Sequence, residues 1–411
     1  MFLRRTGFFP ALLAAAFILS RIGTVCGQDT GEKSLLLKIG DKRFKDKTLE
    51  VKSGEIHSAS EGRSIPFAKM IRELNACPFV YIGETHDSLP MHDIQLRVIQ
   101  ALYEVDRNIA VGLEMFPASV QNVLNKWSLG ILTEDEFLRE AGWYVHWNFN
   151  FGFYRDIFAF VRENKIPLYA LNAPREIISK IRMSGWEALR EDEKKIVPEP
   201  TLSHEEHRLL IRTIFESTEL PPQMKGEGLD MMFEGLYRSQ SAWDEVMAHN
   251  VLEAAGKERR KIIVLAGSGH LLYNLGINRR TFEKNLQPFK TIIVVPIPRT
   301  TKSLQVARSL GDFIWGIAEE ERPAFPSVGL NFKKYKDLEN LVIERKPING
   351  SAKCADFDKG DVILSVDGKT FSDVNELRMY LAQFIWEGEA TFRLLRSGQE
   401  KEVILKFKHC E

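Results

Sequence analysis

Pro78-Phe-Val-Tyr-Ile-Gly-Glu-Thr-His-Asp87 is the stretch that decides the fold. Its first five residues are apolar or aromatic without alternation, and the chain turns polar at Gly83. An unbroken run of this kind suits a strand buried on both faces of a parallel sheet. Such a strand delivers Glu84 and His86 just past its carboxyl end. In open α/β sheets that edge is where ligands bind.

Outward from this stretch the pattern repeats. Phe67, Met70, Ile71 and Leu74 precede it at helical spacing. Leu89-Pro90 opens a helix after it, with proline favoured in the first turn, and Ile94, Val98, Leu102 and Val105 continue the stripe. Further strands are expected at 108–116, ending at Glu114; at 166–173, ending at Asn172; at 261–270, ending at His270; and at 291–296. Strands alternating with helices predict βαβ units, hence an α/β fold with a mainly parallel sheet. Two insertions interrupt it. Residues 117–165 hold a Thr133-x-x-Glu136 capping box and an aromatic run, Trp143 to Phe158; residues 174–258 read as helices, one opened by Ser203-x-x-Glu206. Together they are expected to layer over the sheet edge. From Val328 short strands and one helix predict a small β-rich domain. The expected organisation is a signal peptide at 1–27, an N-terminal extension at 28–65, the α/β domain at 66–300, a connector at 301–325 and the β-rich domain at 326–411.

The 411 residues carry 56 basic and 56 acidic side chains, so net charge makes no case for nucleic acid or an anionic membrane. Arg4 and Arg5 precede an apolar stretch, Ala11 to Leu19, too short to span a bilayer. Val25-Cys26-Gly27 resembles a cleavage site before Gln28, which predicts export to a periplasmic or secreted location. Cys26 leaves a lipid-anchored alternative, the one route to membrane association, although Val25 stands where lipidated cysteines follow Gly, Ala or Ser. Cys77, Cys354 and Cys410 would remain; an odd count is no disulfide framework, though Cys354 and Cys410 have the option of pairing in an oxidising compartment. No Cys-x-x-Cys-His occurs, which excludes covalent c-type haem.

Glu84, His86, Glu114 and His270 come from separate strand ends that a parallel sheet brings to one edge. Two carboxylates and two imidazoles suit a divalent transition metal, with His86, His270 and Glu114 as ligands. They suit equally a general base and the partner that orients it. Asn172 ends its own strand on the same edge. Gln240 and Asp244 share a helical stripe before the last of these strands and point to a supporting role. His92, in the first turn of its helix, has reach to the edge but is read as a satisfied histidine; His204 and His207, three apart and so able to share a metal, are read among Glu205, Glu206 and Arg208 as a solvated helix.

Gly83-Glu-Thr-His-Asp87, Gly112-Leu-Glu-Met-Phe116, Ala170-Leu-Asn-Ala-Pro-Arg175, Gln240-x-x-x-Asp244-x-x-Met247-Ala248 and Ala266-Gly-Ser-Gly-His270 resemble, in order, the ChaN-like haem-binding proteins of the Tiki/TraB superfamily. The resemblance implies haem as ligand, linked to iron uptake, with a tyrosine on the iron; Tyr103, Tyr144 and Tyr154 are the candidates, beside His146 and the flat aromatic run. It also implies the alternative of a metal-dependent, peptidase-like hydrolase using the paired Gly-x-x-His motifs, so enzymatic activity stays open. Residues 326–411 resemble a PDZ domain. Gly329, Leu330, Asn331 and Phe332 stand at the carboxylate-binding loop and are the candidate peptide-binding residues, with Asn331 departing from the usual glycine. Asp358-Lys-Gly-Asp-Val-Ile-Leu-Ser-Val-Asp-Gly368 matches the following strand. That resemblance implies binding of peptide C-termini by strand addition.

Overall fold

The computed structural model describes residues 33–217, 228–258 and 260–410. The expected signal peptide and Cys26 lie outside them. The chain divides into two units. The first holds residues 33–86, 90–121 and 166–321; the second holds 87–89, 122–165 and 322–410.

The first unit begins with β1 (Thr48–Lys52), β2 (Ile56–Ser58) and β3 (Arg63–Ser64), then α1 (Phe67–Asn75), β4 (Phe79–Glu84), α2 (Leu89–Val105) and β5 (Ile109–Pro117). An insert follows, with α3 (Gln121–Ser128), α4 (Glu134–Glu140), α5 (Trp143–His146) and α6 (Arg155–Glu163). The first unit resumes with β6 (Leu168–Asn172), α7 (Arg175–Ser184), α8 (Glu191–Lys194), α9 (Glu205–Ser217), α10 (Gly228–Glu258), β7 (Lys261–Gly267), α11 (Ile277–Asn285), β8 (Phe289–Ile297), β9 (Ser303–Ala307) and β10 (Phe313–Ala318).

Eight strands form the central sheet in the order β3-β2-β10-β8-β4-β7-β5-β6. Every pairing from β10 to β6 is parallel; β2 and β3 close the opposite edge antiparallel. β4, β5 and β7 are buried along their whole length, as unalternating apolar runs require. Each fully buried aliphatic side chain there is worth about 1.5–3 kcal/mol. Phe79, Tyr81, Ala110, Val264 and Ile293 share one core with Ile178 of α7, Leu210 of α9 and Met247 of α10.

The connector expected at 301–325 is a correction. β9 pairs antiparallel with β1, and β10 runs parallel to β8. Phe313, Ile314 and Trp315 are buried, so this short apolar run is a sheet strand rather than a link. β2, in the expected extension, pairs with it through Ile56, His57 and Ser58.

The second unit adds β11 (Phe332–Lys334), β12 (Leu341–Ile343), β13 (Val362–Val366), α12 (Val374–Leu381), β14 (Glu389–Arg396) and β15 (Gln399–Lys406). The five strands form one antiparallel sheet in sequence order. Its core takes in the side chains of two of the expected peptide-binding residues. Leu330 and Phe332 are buried, and their side chains pack in one cluster with Leu341, Ile343, Leu377 and Phe392. These two apolar side chains hold the loop to its own sheet, with Gly329 and Asn331 half-buried.

The insert belongs to this unit as well. Its aromatic run is a core in itself, with the rings of Trp127 and Phe137 4.7 Å apart and those of Trp143 and Phe151 5.0 Å apart. Asn375 of α12 joins it: its Oδ1 accepts the Tyr144 N–H at 3.0 Å and its Nδ2 donates to Leu138 O at 3.1 Å. Arg378 donates to the Tyr144 carbonyl, and Asn150 Nδ2 to Ala382 O at 2.9 Å. The ring of Phe325 packs on Phe153, 4.9 Å between centroids. Cys354 and Cys410 are joined in a disulfide, and Cys77 is a buried free thiol.

Candidate functional site

β7 lies between β4 and β5, and its register sets Gly267 opposite Glu84 and Leu265 opposite Leu113. Three strands thus present Glu84 and His86, Glu114, and His270 at one carboxyl edge. Alternation along the strands then sorts the side chains. Ala110, Gly112 and Glu114 share the face covered by α10, while Val80, Ile82 and Glu84 turn to the other face.

On that second face Glu84 is almost completely buried. Its Oε1 takes His86 Nδ1 at 2.9 Å and its Oε2 takes the amide N–H of Gln95 at 2.7 Å. His92 closes the ring, with Nδ1 3.0 Å from Gln95 Oε1 and Nε2 3.3 Å from the His86 carbonyl. A carboxylate on Nδ1 fixes the orientation of the ring and turns Nε2 away from Glu84.

On the α10 face His270 sits between two carboxylates. Its Nδ1 is 2.5 Å from Asp244 Oδ1, with the Gln240 amide 2.8 Å from the same nitrogen, and its Nε2 is 3.3 Å from Glu114 Oε1. Burial opposes a charged ring, but Glu114 and Asp244 overcome it and hold His270 up at about 10. The reciprocal holds for the carboxylates: burial resists their ionisation, and the His270 ring keeps both below the usual range. Glu114 Oε2 also accepts the Gly267 N–H at 2.6 Å. Asn172 Nδ2 donates to the Glu114 carbonyl at 2.8 Å, where the β5–β6 register breaks.

Two glycines let the motifs interlock. A Cβ at Gly267 would stand 2.8 Å from His86 Cε1, and one at Gly83 would stand 2.7 Å from Ser268 Oγ. Each motif's glycine therefore seats a side chain of the other.

Behind Asp244 lie Arg280, with Nη1 3.4 Å from Oδ2, and His207, with Nε2 3.2 Å from the same oxygen. His207 is fully buried, which corrects its reading as a solvated helix residue, and burial pushes its pKa down. The missed signal is the stripe His207, Leu210, Ile211, Ile214, Phe215, with histidine in an apolar position. His92 is a satisfied buried histidine, and its contacts with Gln95 and the His86 carbonyl bring it beside the site.

The four strand-end residues and Asn172, Gln240 and Asp244 come together. Of the tyrosine candidates, Tyr103 does not join them. Tyr103 lies three turns beyond His92 on α2, roughly 16 Å along the axis, its ring under the Arg107 guanidinium. Tyr144, Tyr154 and His146 belong to the second unit. The Tyr144 hydroxyl accepts the Phe151 N–H at 3.2 Å, and burial pushes its pKa up to about 12. The Tyr154 hydroxyl accepts Trp147 Nε1–H at 3.1 Å in a closed core. The hydroxyls of Tyr144 and Tyr154 thus serve internal bonds, and the expected aromatic walls are packed on one another. For a metal ion, no group of three or more His, Cys, Asp or Glu converges in holding geometry among the described residues.

A family model described as haem-binding uptake, Tiki superfamily, ChaN matches residues 70–281. Among solved structures, the chain is similar to ChaN of Campylobacter jejuni, a structure of cofacial haem binding, with 19% identity over 63% of this chain and 95% of that one and a TM-score of 0.50. It is also similar to an erythromycin esterase, with 12% identity over 70% of this chain and 82% of that one and a TM-score of 0.37. Among curated proteins it is similar to Protein RETICULATA-RELATED 5, chloroplastic, of Arabidopsis thaliana, with 22% identity over 57% of this chain and a third of that protein's length.

Proposed function

The chain belongs to the haem-binding uptake family of the Tiki superfamily, the ChaN family, and from that premise we propose that its strand-edge site is an acid–base centre that hydrolyses an acyl bond. The observation that carries this reading is the opposite setting of two imidazoles in one site. His86 has its Nδ1 on Glu84 and offers Nε2 as a base, whereas His270 is held as an imidazolium between Asp244 and Glu114. In this reading His86 takes a proton from the attacking water. His270, on the loose 3.3 Å side toward Glu114, gives a proton to the departing group. Glu84, Gln95 and His92 hold the base; Asp244, with Arg280 behind it, holds the acid.

Family membership favours a second reading, haem binding linked to iron uptake. His86 is the ring best suited to an iron, since a carboxylate on Nδ1 is the usual support of a metal-bound histidine. Residues 1–27 direct export in either reading, and the Cys354–Cys410 disulfide fits an oxidising compartment. The second unit docks peptide C-termini on the edge strand β11, with the backbone of the Gly329–Phe332 loop on the carboxylate; one helix and a five-stranded antiparallel sheet are compatible with a PDZ domain.

The test pairs two measurements on the mature chain and on His86→Gln and His270→Gln. Hydrolysis of p-nitrophenyl esters and a peptide library should fall by about 10²–10⁴ in either variant. Haemin titration runs in parallel. A shifted Soret band saturating at fixed stoichiometry, without hydrolysis of any substrate, would replace the hydrolase by the haem reading.

A further inference from the structure

This inference rests on the peptide-docking reading of the second unit. The Val328–Phe332 loop has a wall behind it. Gly329 has φ 78°, and a Cβ there would collide with the Asn349 carbonyl. The Ser351 N–H donates to Ser327 O at 2.8 Å, and the Ala352 N–H to Val328 O at 2.9 Å. Ser351 and Ala352 are buried, and Ala352 shares the core that takes Leu330 and Phe332. Segment 349–352 therefore sets where the loop's N–H groups aim.

The wall is in turn tied to the end of the chain. Ser351 Oγ donates to Lys408 O at 3.0 Å, and Cys410 Sγ lies 3.5 Å from Ser351 O. The disulfide from Cys354 to Cys410 fastens the same two segments covalently across 56 residues. Toward the sheet, the Glu344 N–H donates to Asn331 O at 3.0 Å. Cys354 is exposed and Cys410 half-buried, so a small reductant reaches the bond.

We propose that the Cys354–Cys410 disulfide is a redox clamp on the peptide-carboxylate grip. Intact, it holds the wall and pre-aims the loop N–H groups at a terminal carboxylate. A dithiol opens it: one dithiol thiolate attacks a cystine sulfur, and the second resolves the mixed disulfide. The dithiol leaves as a disulfide, and Cys354 and Cys410 each gain an electron and a proton. The wall then depends on the Ser351 bonds alone, and the loop must be ordered at each binding event.

The test uses the full oxidised chain. A displayed library with random last seven residues and free carboxylates is panned against it. A selected peptide and its C-terminal amide are then labelled with fluorescein for anisotropy. Reduction by dithiothreitol should raise the Kd of the free-carboxylate peptide at least about tenfold, and reoxidation should restore it. The Cys354→Ser, Cys410→Ser chain should bind at the weak level in both conditions. Ser351→Ala, which keeps the disulfide, should lose less. Equal Kd in both redox states, with carboxylate dependence intact, overturns the clamp alone. No carboxylate-dependent peptide from the library overturns the docking reading and the clamp with it. Loss of near-UV circular dichroism on reduction also overturns it, because the disulfide would then hold the unit together rather than tune the loop.

Discussion

Replacing His270 with Gln tests the paired-charge reading of the site through stability alone. In the folded chain its pKa is raised from 6.5 to about 10 by Glu114 and Asp244, against burial. A group whose folded pKa is raised stabilises fully below its unfolded value and stops doing so as pH climbs through the folded one. The window is therefore pH 6.5 to 10. At about 1.4 kcal/mol per unit, the effect is on the order of 5 kcal/mol, and it counts the His270–carboxylate pairs once. Urea unfolding at half-unit steps from pH 6 to 10, followed by far-UV circular dichroism, should show the parent losing stability across this window. Cys77 and Tyr144, whose pKa values burial raises, add losses at the alkaline end of both proteins. The quantity to read is the difference between parent and His270→Gln, which should shrink by most of those roughly 5 kcal/mol as pH rises. Curves that stay parallel would refute an imidazolium at His270, and with it the acid–base division.

Three further outcomes follow from particular contacts. Gly267→Ala places a Cβ 2.8 Å from His86 Cε1, where about 3.5 Å is needed, so the ring must shift by about 0.7 Å and its 2.9 Å bond to Glu84 breaks. Hydrolysis should drop by about 10²-fold with a modest change in Tm; unchanged activity would unseat His86 as the base. Asn375→Ala leaves the buried Tyr144 N–H and Leu138 C=O without their partner and should cost the second unit about 2–4 kcal/mol by thermal melting. Tyr144→Phe and Tyr154→Phe should leave the Soret spectrum of a haemin titration unchanged, since both hydroxyls serve internal bonds; a spectral change in either would return it to the iron.

The central sheet was legible because β4, β5, β6 and β7 end their apolar runs at a polar residue, and a parallel sheet leaves one place for those ends. Gln240 and Asp244 were legible for a similar reason, as polar residues on an otherwise apolar stripe of α10. β10 was not, because a single apolar run between glycines and prolines looks the same in a link as in a sheet. His207 and Arg280 escaped because their partner, Asp244, is supplied by another helix, and no local pattern announces a buried ion pair. Leu330 and Phe332 mark a loop motif whose place was legible, yet the motif does not say whether its apolar side chains face a ligand or the core behind it. The aromatic run was read as surface for a ligand; rings spaced along short helices mark a core equally well, and here they close on each other and on α12.

That closure joins segments far apart in the chain. The core of residues 122–165 is completed by α12 and Phe325, which the ribosome delivers roughly 150–250 residues later. At about 5–20 residues per second, Trp143, Phe151 and Phe158 wait on the order of ten seconds or more with no counterpart to cover them. A nascent chain stalled before residue 322 would display this greasy helix cluster, a mark for chaperones and proteases. Truncation from the C-terminus should therefore yield an aggregating fragment rather than an isolated α/β domain, and a gene fusion that keeps the first unit must either carry the tail along or excise the insert with it.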